Sequence, residues 1–121
     1  MNIEFTLPWP PQVLNPNKRV HWAKRAKAAK AYRAECGWQV RSSITIGKLA
    51  DLTIPEGKLH LWIEFYPPDR RARDDDNMLS SFKSGRDGVA DALGVNDNRF
   101  ICRHKVMDQI GGMVKVIIKS A

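Results

Sequence analysis

Residues 67–82 read Pro-Pro-Asp-Arg-Arg-Ala-Arg-Asp-Asp-Asp-Asn-Met-Leu-Ser-Ser-Phe, so three acids, Asp74, Asp75 and Asp76, follow directly on three arginines, Arg70, Arg71 and Arg73. Carboxylates this close raise one another's pKa unless something compensates, and a divalent cation would remove the repulsion. Mg²⁺ takes hard oxygen ligands and is usually held by a few carboxylates together with a substrate phosphate. Such an ion polarises the phosphate and lowers the pKa of its water. The neighbouring guanidinium forks match phosphate oxygens. The chemistry this stretch suggests is metal-dependent phosphodiester hydrolysis. The structural alternative is that an aspartate at a helix start satisfies free amides and opposes the macrodipole. Capping accounts simply for one or two acids, and less readily for three in a row behind three arginines. An EF-hand fits poorly, because Met78 and Leu79 stand where that loop wants polar ligands and glycine.

The elements around the stretch decide whether its acids converge. Asp74 and Asp76 are two apart, a spacing that points both carboxylates one way in extended backbone and sends them apart in a helix. Sharing a metal therefore requires that both precede the helix. Residues 58–66 alternate Leu59, Leu61, Ile63 and Phe65 with His60, Trp62, Glu64 and Tyr66, which predicts a strand; bulk on both faces suits a central one. Pro67-Pro68 ends it. Asp76 or Asn77 is a natural N-cap for a following helix with apolar positions Leu79, Phe82, Val89 and Leu93, stopped by Gly94. Unbroken from 77 to 93, that helix spans roughly 25 Å.

Elsewhere, residues 2–7 alternate as a short strand bounded by Pro8, and Pro8-Trp9-Pro10-Pro11 cannot continue a sheet. Trp9 packs under this loop or stacks on a base. Residues 21–40 favour a helix, with Trp22, Ala26, Ala29, Cys36 and Val40 on one stripe whose small residues permit close approach to a sheet. Residues 42–57 are less regular. Residues 100–110 and 113–119 read as strands flanking Gly111-Gly112, a hairpin signal that predicts their antiparallel pairing. The expected fold is mixed α/β (α+β): a small sheet of about four strands, including a C-terminal antiparallel hairpin, packed with two main helices.

The whole chain sets the limits. Its 121 residues suit a single domain over residues 1–121, with 43% hydrophobic and 27% charged residues in the globular range. No apolar run is long enough for a bilayer, and the amino terminus lacks the regions of a signal peptide. Cys36 and Cys102 read as reduced thiols, small core residues of a cytosolic protein, the alternative being a pair formed in an oxidising compartment. The net charge is +7 and the pI about 9.7. Lys18, Arg19, Lys24, Arg25, Lys27, Lys30 and Arg33 fall in one acid-free segment. Such a stripe is either the footprint of a polyanion or a solvated helix face.

Residues 68–79, Pro-Asp-Arg-Arg-Ala-Arg-Asp-Asp-Asp-Asn-Met-Leu, closely resemble the signature of the RusA family of Holliday junction resolvases. In that family a basic run precedes Asp-x-Asp-Asn-Leu, a helix, and an Asp pair or Asn-Asp near a strand start. Gly94-Val95-Asn96-Asp97 is similar to the last part, and Leu7-Pro8-Trp9-Pro10-Pro11 and the basic lead into Ala31-Tyr32-Arg33 are similar to the opening. The resemblance implies a Mg²⁺-dependent endonuclease that nicks four-way junction DNA symmetrically as a homodimer, cytoplasmic and of bacterial or prophage origin. It implies Asp74, Asp76 and Asp97 as metal ligands, with Asp75, where the family more often has an apolar residue, facing solvent. The family lysine falls on Ser80 here. Lys83, three residues further on nearly the same helix face, is the candidate for its role. Lys18, Arg19, Lys24, Arg25, Lys27, Lys30, Arg70, Arg71 and Arg73 would then contact phosphates without reading bases. A straight helix keeps Asp97 far from Asp76, so either the helix breaks near Gly85 or Gly88, or a partner's Asp97 completes the site. The alternative function is a non-catalytic basic DNA-binding protein in which the acids only cap a helix.

Overall fold

The structure, a computed structural model, describes residues 2–46, 53–71 and 73–120. Alternating apolar residues make four strands: β1 (Asn2–Pro8), β2 (Leu59–Tyr66), β3 (Phe100–Val106) and β4 (Met113–Ser120). They form one mixed sheet in the order β1-β4-β2-β3. β4 is antiparallel to both its neighbours, and β2 and β3 are parallel. Alternation sends Ile3, Phe5 and Leu7, then Leu59, Leu61, Ile63 and Phe65, then Val114, Val116 and Ile118 into one buried layer.

Three helices complete that layer: α1 (Trp22–Ile46), α2 (Asp75–Ser81) and α3 (Lys83–Leu93). Tyr32, Cys36 and Val40 of α1, at helical spacing, join Met78, Phe82 and Val89 and the sheet residues in a single core. The fold is therefore the expected mixed α+β domain with a four-stranded sheet. α2 and α3 behave as one rod with a joint at Phe82, whose amide reaches both Met78 and Leu79 carbonyls at 3.1 and 3.2 Å. Phe82 is buried there, edge-on to Phe65 and Tyr32.

Two expectations change and one alternative drops out. The last two strands are consecutive and run antiparallel, but β2 lies between them, so β3 and β4 share no ladder. The reason is in the connection. The Gly111 and Gly112 amides bond to the Pro67 carbonyl at 2.9 and 3.2 Å, and Met107 bonds to Phe65 at 2.8 Å. The chain after β3 thus passes over the end of β2 instead of folding straight back. Second, α1 runs on to Ile46, beyond the expected end at 40; of the less regular stretch 42–57, residues 47–52 lie outside the described residues. Its inward stripe begins only around Ala29, and Trp22 and Ala26 are exposed. Third, Gly85 and Gly88 do not break α3. Gly88 faces α1 so closely that a Cβ there would lie 2.2 Å from the Arg33 carbonyl oxygen, and Gly37 approaches Gly88 from the other side. The small residues of α1 thus admit a helix as well as a sheet.

Candidate functional site

β2, the α2–α3 rod and β3 form a strand–helix–strand crossover between parallel strands. The acidic stretch follows the carboxyl end of β2, where ligands gather in sheets with this connection. The expected N-cap, Asp76 or Asn77, is instead Asp74, in extended backbone (φ −83°, ψ 127°). Its Oδ1 accepts from the Asp76 amide at 2.9 Å and the Asn77 amide at 3.3 Å. Asp75 and Asp76 already lie in the first turn of α2. The extended spacing that would align Asp74 with Asp76 is therefore lost. What links them is a carboxylate-to-amide bond. All three acids are exposed, and none forms an ion pair among the described residues.

The arginines do not neutralise these acids because Asp69 holds two of them. Its carboxylate accepts from Arg71 Nη2 at 2.9 Å and Arg73 Nη2 at 2.8 Å. These guanidiniums hold the Asp69 carboxyl well below the usual carboxylate range. Arg73 is mostly buried, bonds the Asp69 and Arg71 carbonyls, and lies 5.6 Å over the Trp9 ring. It works as a staple of the loop. Arg71 keeps most of its surface in solvent, and Arg70 is exposed.

Asp97 lies at the opposite end. Phe100 pairs with Leu59, the first residue of β2, so the segment before β3 sits at the amino end of β2. The eight residues of β2 separate it from the acidic loop by roughly 26 Å. Asp97 opens a short 3₁₀ turn (Asp97–Arg99) and pairs with Arg86 at 3.7 Å. With Arg33, Lys83, Asp87 and Asp91 it lines a cavity of about 320 Å³. Lys83 pairs with Asp87 at 3.6 Å, one turn further from Asp76, so its ammonium leans toward the Asp97 end. Ser80 is exposed. Among the described residues no three His, Cys, Asp or Glu groups gather where they could hold a metal ion.

The basic segment divides similarly. Lys18, Arg19, Lys24, Lys27 and Lys30 are exposed. Arg25 donates to the Asn15 carbonyl at 3.2 Å and to that of Lys18, fixing the loop before α1. Arg33 makes a two-pronged bond to Asp91 at 2.6 and 2.8 Å, which raises its own pKa and lowers that of Asp91. Sequence reasoning missed Asp69, Asp87 and Asp91. Asp69 had a readable signal, standing two and four residues before Arg71 and Arg73. The partners of Asp91 are distant in sequence and left none. Both cysteines are free, and burial pushes the Cys36 thiol up to about 12, which keeps it protonated. No helix among the described residues is long and apolar enough to cross a membrane.

No family model matches the chain. It is 47% identical over 115 residues to an uncharacterized protein of Xylella fastidiosa (strain Temecula1), covering 94% of this chain and 72% of that one. The two belong to one family. The similarity takes in nearly the whole domain, the acidic loop and both ends of the rod together.

Proposed function

We propose that this chain is a RusA-like, Mg²⁺-dependent endonuclease that nicks four-way DNA junctions as a homodimer. One observation supports the reading: among the described residues three adjacent carboxylates stay free of ion pairs just beyond the carboxyl end of β2, although three arginines precede them in the chain. Capping α2 accounts for Asp74, but it does not call for three exposed carboxylates together, and a hard cation with a phosphate ester would compensate their mutual repulsion. The exposed lysines of the α1 segment, with Arg70 and Arg71, supply phosphate contacts.

The donor set suits Mg²⁺ only in part within one chain. Asp74 Oδ2 and the Asp76 carboxylate are available hard oxygens, and Asp97 is a rod's length away. A two-fold axis crossing the middle of α2–α3 would exchange the ends of the rods and bring Asp97 of the partner subunit to the acidic loop. When bound there, the cation would supply charge neutralisation at the phosphate and an activated water. Asp74 meanwhile holds the first turn of α2, fixing the direction of Asp76. Lys83 is then a positioning group for Asp87, and not a partner of the acids in its own chain.

Asp74 as N-cap also favours a second reading, a DNA-binding protein that does not cut. Incubation with a labelled four-way junction, with and without Mg²⁺, separates the two. Paired nicks that depend on Mg²⁺ support the nuclease; binding that leaves every strand whole rejects it. Affinity should fall steeply between low and physiological salt, and a flat dependence would remove the phosphate contacts from the scheme.

A further inference from the structure

Beside the acidic loop lies a second feature, distinct from its three carboxylates. A cleft of about 310 Å³ opens between the Pro-rich segment after β1 and the arginine loop, with Trp9, Gln12, Lys18, Arg71 and Met78 in its walls. Three cations, Lys18, Arg71 and Arg73, line it, and no acid does. Its amide-bearing wall is Gln12, Asn15 and Asn17; its apolar wall is indole, proline and thioether. The volume is at the small end for ligand pockets, and the concave shape excludes a duplex.

The walls are held before any ligand arrives. Tyr32 donates its hydroxyl to the Pro8 carbonyl at 2.6 Å, tying the Pro-rich segment to α1. Trp9 packs edge-on against Phe65 at 6.2 Å and carries Arg73 on its ring. Arg25 fixes the Asn15 and Lys18 carbonyls, and Asp69 fixes Arg71 and Arg73. A loop of prolines and asparagines staked at four points is a preformed wall, and preformed walls lower the cost of binding.

We infer that this cleft receives one unpaired nucleotide of the DNA, its phosphate on Lys18 and Arg71 and its base between the Trp9 and Met78 walls, edge toward the Gln12 and Asn17 amides. An aromatic wall joined to cations is how single-stranded nucleic acid is held, and a base must leave its stack to enter. Arg73 and Met78 flank Asp74 and Asp76 in sequence and also line the cleft, so the nucleotide would sit next to the carboxylates. The inference rests on the junction-cutting reading for its substrate. It adds that a branch-point nucleotide is unstacked and captured beside the cleavable linkage.

The test is photocrosslinking of the full chain to four-way junctions that carry 5-iododeoxyuridine either at the branch point or within an arm, with mass-spectrometric mapping. A matching single strand is run in parallel, and Mg²⁺-dependent nicking is scored on the same preparations. The expected result is a branch-point crosslink on Trp9 or Met78 that is absent from the arm position. Arg71→Ala should weaken it roughly tenfold through loss of one charge-assisted contact. Normal nicking with crosslinks outside the cleft, or equal from arm and branch point, overturns the nucleotide site and leaves the nuclease standing. Crosslinks to Trp9 or Met78 from the single strand without any nicking support the cleft and overturn the nuclease. Neither crosslink nor nicking overturns both.

Discussion

The two ends of the α2–α3 rod carry the same kind of residue and treat it oppositely. At the carboxyl end Asp87, Asp91 and Asp97 each meet a cation, Lys83, Arg33 and Arg86 respectively. At the amino end Asp74, Asp75 and Asp76 meet none among the described residues, and Asp69 has taken Arg71 and Arg73. In a chain with seven positive charges in excess, cations are not scarce. Three exposed acids beside so many cations are what the proposed metal and phosphate would compensate. The carboxyl-end acids are tied to cations, while at the amino end only the Asp74 carboxylate has a partner, the amides of the first turn of α2.

The largest effect expected from breaking this contrast is on cutting. Asp76→Asn, and separately Asp74→Asn, should reduce junction cleavage on the order of 100-fold or more while binding persists, as loss of a direct metal ligand should exceed loss of a group that only orients one. Asparagine caps a helix about as well as aspartate, so Asp74→Asn should leave thermal stability unchanged. Undiminished cutting by either variant assigns the acids to capping alone. Mixing Asp74→Asn with Asp97→Asn chains sharpens the comparison. If the ends meet across a two-fold axis, the mixed dimer keeps one intact site and nicks one strand; if each chain completes its own site, the mixture stays inactive.

Next in size is Gly88→Ala in the carboxyl half, where a Cβ would strike the Arg33 carbonyl. Overpacking of this kind costs about 1–3 kcal/mol, read as a lowered denaturation midpoint. Smaller is Asp74→Ala, which removes the cap and should cost about 1 kcal/mol without touching α1. Acid titration gives the last contrast. Arginine partners lower the folded-state pKa of Asp69 near one end and of Asp91 near the other. Their stabilisation is complete above the ordinary carboxylate value of about 4 and is lost as pH falls through the folded values. The melting temperature should therefore hold from pH 7 to pH 5 and drop below that value. Asp69→Asn and Asp91→Asn should each flatten the drop.

Much of this was legible in residue patterns. Strict alternation in residues 59–65 marked β2 and its central place, and Gly94 ended α3 where expected, in left-handed backbone. Sheet order was not legible, since Gly111-Gly112 carries the signal of a tight hairpin whether the chain folds straight back or over the end of β2. Trp22 and Ala26 fit the helical stripe and still face water, because periodicity does not say how far along a helix the core extends. The acidic stretch stood out at once. That Asp97 lies at the far end of β2 followed only from the parallel pairing of β2 with β3.

The insertion of β4 between β1 and β2 governs how the molecule is made. Asn2 pairs with Lys119, so β1 has no strand partner until nearly every other described residue has been translated. A nascent chain halted before residue 113 would display Ile3, Phe5 and Leu7 on one side and an open edge of β2 on the other. Contacts this remote in sequence form slowly. Synthesis is therefore the period when this small domain most needs shielding from its own apolar strands.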